Sequence, residues 1–315
     1  MAASNQLMQA QQMSFSSVIA TNKYQQAIAN SIPDNKQANR FIAAITSAVA
    51  TTPALQTCRP DTILTGALLG ESLGLSPSPQ LGQYYLVPFK SKAKVDQRTG
   101  ELIEPECNKA TFVLGYKGYI QLALRSGYYK KLNVIPIKEG EFKGFNPLDE
   151  EISVQLIIDD WDKREQAPTV GYYVMFEYLN GFRKADYWSK GKMLAHADRY
   201  SKAFSKEAYA KIQRGEIKDS DMWKYSSFWY TDFDGMACKT MLRQIISKWG
   251  MMSIDLQTAF ERDESLNEMN AQGDIISTPV FDATAPELPI VEESVPQIAE
   301  PVPQTQSGKV SFDDL

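Results

Sequence analysis

Val170-Gly-Tyr-Tyr-Val-Met-Phe-Glu-Tyr-Leu179, Asn180-Gly181 and Phe182-Arg-Lys-Ala-Asp-Tyr-Trp188 together decide the fold class. Two runs rich in aromatic and β-branched residues flank an Asn-Gly pair, which predicts an antiparallel hairpin closed by a type I′ turn. Downstream, Trp229 to Trp249 has the opposite period. Wound at about 100° per residue, its second half gathers Cys238, Met241, Leu242, Ile245, Ile246 and Trp249 on one apolar arc. Lys239, Thr240, Arg243 and Ser247 fall on the other side. A hairpin followed by a long one-sided helix predicts an α+β fold: a small antiparallel sheet with β-hairpins packed against long helices.

The same reading extends outward in both directions. Helices are expected at 36–50 and 60–75, the second started by Pro60 and Asp61 and stopped by Gly74. Ser76-Pro-Ser-Pro79 breaks the chain, and the period then changes to strands at 83–89 and 110–114. The charged 92–108 segment between them, with its Thr99-Gly100 turn, reads as a long hairpin tip or a mobile loop. A helix at 116–126 and strands at 132–137 and 152–158 follow. Residues 1–30, polar and rich in Gln, Ser and Ala, read as a flexible segment. Residues 31–255 form the expected core. Residues 256–315, with six prolines between Pro279 and Pro303, read as a disordered acidic tail.

The 315 residues carry a net charge of −5 that is unevenly spread. Residues 81–250 hold 27 Lys/Arg against 22 Asp/Glu, whereas residues 251–315 hold 2 against 13. The acidity sits in the tail and the middle is mildly basic, so the acidic whole does not exclude a nucleic-acid ligand. No apolar run spans a bilayer, and the Met1-Ala-Ala-Ser start lacks a secretory pattern. Cys58, Cys107 and Cys238 are odd in number and widely spaced. They suggest neither a disulfide framework nor a zinc site and point to a reducing cytoplasm.

Three polar stripes stand out. Lys117, Gln121 and Arg125 share one helix face at i, i+4, i+8. Gly115 and Gly118 flank Lys117 at a strand-to-helix junction, where a missing Cβ permits close backbone approach and a helix amide end can hold phosphate. Lys190, Lys192, His196 and Arg199 form the second stripe. His196, the only histidine, sits among cations, which disfavours metal ligation. Lys239, Thr240 and Arg243 form the third. For each stripe a plain solvated helix face is the alternative. Catalytic patterns fare worse: the Gly-x-x-x-x-Gly-Lys-Ser/Thr phosphate loop is absent. Asp232 and Asp234, with Asp219 and Asp221 upstream, suit a Mg²⁺ cluster, but helix capping explains the first two more simply.

With these residues in view, the chain resembles the RecT family of phage-type single-strand annealing proteins. The matching blocks are Gly74-Leu75 with Pro77, Tyr85 to Phe89, Gly115 to Gly127, Glu141-Phe-Lys143, His196 to Ser201, and Trp229 to Trp249. The resemblance implies a Redβ- and Rad52-like annealing core that binds single-stranded DNA and annealed duplex without ATP or another cofactor. It also implies homo-oligomers, with helices 36–75 in the contacts between copies, and partners such as a phage 5′–3′ exonuclease and a host single-strand-binding protein. By the matching blocks, Lys117, Gln121, Arg125, His196, Arg199, Lys239, Thr240 and Arg243 are expected DNA contacts, and the second stripe adds Lys190 and Lys192. Two other classes compete: a metal-dependent nuclease using Asp232 and Asp234, and a non-catalytic recombination adaptor acting through the acidic tail, whose tip is Phe312-Asp-Asp-Leu315.

Overall fold

A four-stranded and a three-stranded antiparallel sheet, each backed by one long apolar helix, are accompanied by two two-stranded hairpins in the computed structural model, which describes residues 14–96, 98–269 and 275–279. The order along the chain is α1 (Phe15–Ile19), α2 (Asn22–Ser31), α3 (Asn35–Thr51), α4 (Pro60–Ser72), β1 (Tyr84–Ser91), β2 (Lys94–Val95), β3 (Leu102–Glu104) and β4 (Cys107–Leu114). Then come α5 (Tyr116–Arg125), β5 (Tyr129–Lys138), β6 (Phe142–Asn146), β7 (Glu151–Val154), α6 (Trp161–Gln166), β8 (Thr169–Tyr178) and β9 (Arg183–Ser189). The last are α7 (Lys190–Tyr200), α8 (Lys206–Gln213), α9 (Phe228–Thr231), α10 (Phe233–Trp249), α11 (Ile254–Arg262), β10 (Ser265–Met269) and β11 (Ile275–Pro279). The α+β class expected from the sequence is the class observed.

The β8–β9 hairpin forms with Tyr172 opposite Trp188 and Phe176 opposite Lys184. Its turn differs from the expected type I′. Gly181 takes a positive φ of 87°, but Asn180 does not; the described non-glycine residues with positive φ are Glu150 and Glu264. Gly181 N–H donates to the Tyr178 carbonyl (3.0 Å) and Tyr178 N–H to the Phe182 carbonyl (2.8 Å). This is a type I turn ended by a left-handed glycine bulge. The Asn180 side chain is spent within the turn, accepting from Phe182 N–H at 3.0 Å.

Alternation along β8 feeds two cores. Tyr172, Val174, Phe176 and Tyr178 belong to the main core beneath α10. Tyr173 and Met175 face the other way and join Ile137 and Ala185 in a smaller core, against which Ile152 and Val154 of the β6–β7 hairpin pack. The Phe142 ring of that hairpin stacks on Tyr187 with centroids 4.5 Å apart. The first sheet runs β1-β4-β10-β11, and α4 lies against β4 and β10 with every residue from Asp61 to Gly70 buried.

Four features differ from expectation. Of the segment read as flexible, residues 15–31 form α1 and α2, whose Ile19 and Ile28 are buried in the main core; residues 1–13 lie outside the described residues. The core also extends past 255, because α11 and β10 complete the first sheet and bury Leu256, Ala259 and Leu266. Residues 280–315, which include the Pro-rich stretch and the Phe312-Asp-Asp-Leu315 tip, lie outside the described residues. Finally, α4 is a buried core helix, which leaves α3 as the main part of 36–75 with an exposed face. The strand expected at 152–158 stops at Val154.

Candidate nucleic-acid interface

Helix α10 begins where the sequence suggested. Asp232 is its N-cap and accepts from Gly235 N–H at 3.0 Å. Asp234 accepts from the Thr169 hydroxyl (2.7 Å) and the Tyr172 hydroxyl (2.6 Å), locking the helix start to β8. Both carboxylates therefore serve the fold. Among the described residues no three His, Cys, Asp or Glu side chains gather into a metal-binding group.

The polar side of α10 is not a surface stripe, contrary to expectation. Lys239 is 2% exposed and pairs with Asp263 (3.0 Å) and Glu264 (3.1 Å). Arg243 donates to Asp263 at 2.9 Å. Thr240 is buried, and its hydroxyl donates to the Met236 carbonyl at 2.9 Å. Asp263 also accepts from Leu114 N–H and the Tyr119 hydroxyl, each at 2.8 Å. One carboxylate thus ties α10, α5, β4 and the end of α11 together. Burial alone pushes the Asp263 carboxyl up, but Lys239 and Arg243 beside it, helped by Leu114 N–H and Tyr119, bring it below its ordinary value.

The first stripe is exposed. Lys117, Gln121 and Arg125 line the solvent side of α5. Arg125 reaches back to the Leu73 and Gly74 carbonyls, so it also closes the end of α4. The glycines before this helix do permit close approach, but the approaching group is the protein's own backbone. A Cβ on Gly115 would lie 2.1 Å from the Gly82 carbonyl oxygen, and one on Gly118 would lie 2.1 Å from that of Gln83. Gly115 N–H already donates to Gln83 at 2.9 Å. The expected phosphate cradle is occupied by the lead-in to β1. Gly118→Ala should accordingly destabilise the protein by roughly 1–3 kcal/mol, read as a lowered melting temperature; an unchanged melt would show that this backbone contact yields freely.

The second stripe surrounds the start of α7, which Ser189 caps by accepting from Lys192 N–H at 3.2 Å. Lys192 and Arg199 are exposed; Lys190 and His196 are half-buried. Lys192 Nζ lies 4.1 Å from the Trp188 ring centroid, and the His196 ring is 5.1 Å from the same residue. Burial pulls the Lys192 ammonium down, Asp186 opposes this, and Lys248 adds to it. Lys190 approaches the Phe233 ring at 5.8 Å, placing α7 against the start of α10. Among the described residues Lys117, Lys192 and Arg199 form no ion pair, unlike Lys239 and Arg243.

Two further groups fall outside the expected DNA contacts. Glu141 is fully buried and accepts from Arg164 Nε (2.7 Å), Lys138 N–H (2.8 Å) and Ile157 N–H (3.0 Å), so this member of the matching blocks is a structural clasp. Lys184 and Lys248 converge on Trp249 at the end of α10, with Lys184 Nζ 4.1 Å from the ring centroid. The available signal was a cation beside an aromatic at an element end, which gains meaning only when β9 and α10 are placed side by side.

The family comparison agrees with the blocks read from the sequence. Residues 39–277 match the model of the RecT family. The chain is 34% identical over 284 residues to the uncharacterized protein YqaK of Bacillus subtilis, covering 88% of this chain and 84% of YqaK. It is 26% identical over 238 residues to protein RecT of Escherichia coli, covering 75% of each. The chain belongs to the RecT family, and membership implies single-strand annealing in recombination. No helix among the described residues is long and apolar enough to cross a membrane.

Proposed function

We propose that this protein holds single-stranded DNA by its phosphates and anneals complementary strands without nucleotide hydrolysis, acting as a homo-oligomer. The observation that carries the reading is the set of exposed cations on α5 and α7, Lys117, Lys192 and Arg199, in a chain of the RecT family. Base pairing supplies the specificity, so the protein needs only to grip the backbone and leave bases accessible. Pairing is itself downhill, with stacking of about 1.4 kcal/mol per step, so no other energy source is required. In this reading Gln121 and His196 contribute hydrogen bonds beside the cations, and Lys190 and Arg125 add charge at the margins. Lys239, Thr240 and Arg243 set the position of α10 rather than touching the strand. The protein's partners in this reading are a phage 5′–3′ exonuclease and a host single-strand-binding protein. The engagement of Asp232 and Asp234 in capping and in bonds to Thr169 and Tyr172 favours annealing over the nuclease reading.

The test is annealing of two labelled complementary oligonucleotides with EDTA and no nucleotide, across a salt series. Acceleration that fades as salt rises supports the reading. Cleavage that appears with Mg²⁺ and disappears in Asp234→Asn would replace it with the nuclease.

A further inference from the structure

The end of the second sheet beside Trp249 carries more exposed aromatic surface than the fold requires. There the chain enters β5 next to the β8–β9 turn, and Leu179 N–H donates to the Tyr128 carbonyl at 3.3 Å. Tyr128 is 45% exposed and Phe182 44%. The end of α10 is pinned to the same place, with the Tyr178 hydroxyl donating to the Trp249 carbonyl and the Tyr129 hydroxyl to the Met251 carbonyl, each at 3.0 Å. Trp249 is thereby held with half its surface in solvent. Its backbone is fixed while the indole, covered on one side by Lys184, stays half exposed.

Cations stand beside these rings. Lys248 is exposed next to Trp249, and Lys184 lies over its ring, whereas Lys131 and Arg183 stand opposite Glu177 on the face turned away from α10, where Arg183 donates to the Tyr173 hydroxyl at 3.4 Å. The acids here are already engaged: Glu177 takes Lys130 (2.6 Å), and Glu150 takes Lys184 and the Ala185 N–H. A small cleft of about 180 Å³ opens beside Trp249 between β9 and α10, lined in part by Lys184, Gln244 and Lys248. The patch is continuous with the α7 surface, because Lys248 is close enough to Lys192 to affect its ammonium.

We propose that this end is a base-stacking platform for single-stranded DNA, on which Trp249 and Phe182 hold bases while Lys248 and, on the α7 side, Lys192 hold the neighbouring phosphates. Flat rings interleaved with cations suit a strand whose every base has a π-face, and such stacking tolerates any sequence. Lys248 and Lys192, exposed and outside any ion pair among the described residues, select a polyanion over an apolar protein surface. The inference rests on the proposed function and adds to it a contact with bases where that reading needs only phosphates.

The experiment compares full-length wild type, Trp249→Ala and Phe182→Ala in fluorescence-anisotropy titrations with two probes of equal length and charge. One is a mixed-sequence oligonucleotide and the other an abasic deoxyribose-phosphate chain. Wild type should prefer the strand with bases by tenfold or more, since one stacked base is worth about 1–3 kcal/mol. Each substitution should shrink that preference severalfold while leaving abasic binding within about twofold. Equal wild-type affinity for both probes would overturn the platform and leave the phosphate-based reading standing; failure to bind either probe would remove that reading itself. Sedimentation of each variant supplies the remaining control. A changed assembly size with equal losses on both probes would assign the patch to contact between copies and overturn the proposal.

Discussion

Asp263→Asn should lower folding stability by about 3–5 kcal/mol, because it leaves the Lys239 and Arg243 charges enclosed with their central partner gone. In a chain of this size such a loss appears as a fall of about 10 °C in melting temperature. Glu264 stays beside Lys239 and acts on Arg243 less strongly than Asp263 does, so compensation should be partial. The pH dependence has a definite sign. The folded Asp263 carboxyl titrates below its ordinary value of 3.8, so its contribution is complete above that value and is lost as pH falls through the folded one. Wild type should therefore lose stability on acidification below about pH 4, and the gap between wild type and Asp263→Asn should narrow there. Thermal melts at neutral pH and in acid check both statements. Equal melting temperatures at neutral pH would mean that the cluster is not what joins α10 to the first sheet.

Lys117→Glu combined with Arg199→Glu should weaken single-strand binding by about 30-fold or more at low salt and slow annealing in step, with the melting temperature unchanged. Each cation on a single strand contributes about 0.7 to the salt exponent, and reversal adds repulsion to the lost contact. Both side chains are exposed and, among the described residues, outside any ion pair, so the fold has little reason to respond. Lys239→Ala should show the opposite signature: a lowered melting temperature, because the ammonium that partners Asp263 is gone. Paired melts and titrations separate the two. Full DNA affinity in the doubly reversed protein would move the strand to another surface.

How much was legible in the sequence follows from the range of the forces involved. The β8–β9 pairing and α10 were readable because their signals are local: period-two alternation around Asn-Gly, and an apolar arc at helical spacing. The turn type was not, because the Asn180 side chain bonding Phe182 N–H competes with the left-handed geometry a type I′ turn would need. Helical spacing alone put Lys117, Gln121, Arg125, Lys192 and Arg199 on the solvent sides of α5 and α7, whereas Lys190 and His196 are half-buried. The α10 face was not, since a helical wheel cannot show that Asp263 and Glu264 fold back onto it. Those acids sat in Glu261-Arg-Asp-Glu264, which looks like any solvated charged run. The strand Ser265–Met269 was hidden for a related reason: its Leu266 and Asn267 are buried by α4 and β4, which are distant in sequence.

The central claim is that surface cations on α5 and α7, and not the enclosed pair on α10, carry the electrostatic grip on DNA. It is tested most directly by the slope of log Kd against log salt for a single-stranded oligonucleotide, in wild type and in a variant carrying Lys117→Ala, Lys192→Ala and Arg199→Ala. Removal of three phosphate contacts should flatten the slope by about 2, with the fold intact by melting. An identical slope in both proteins would contradict the account and place the phosphates elsewhere on the molecule.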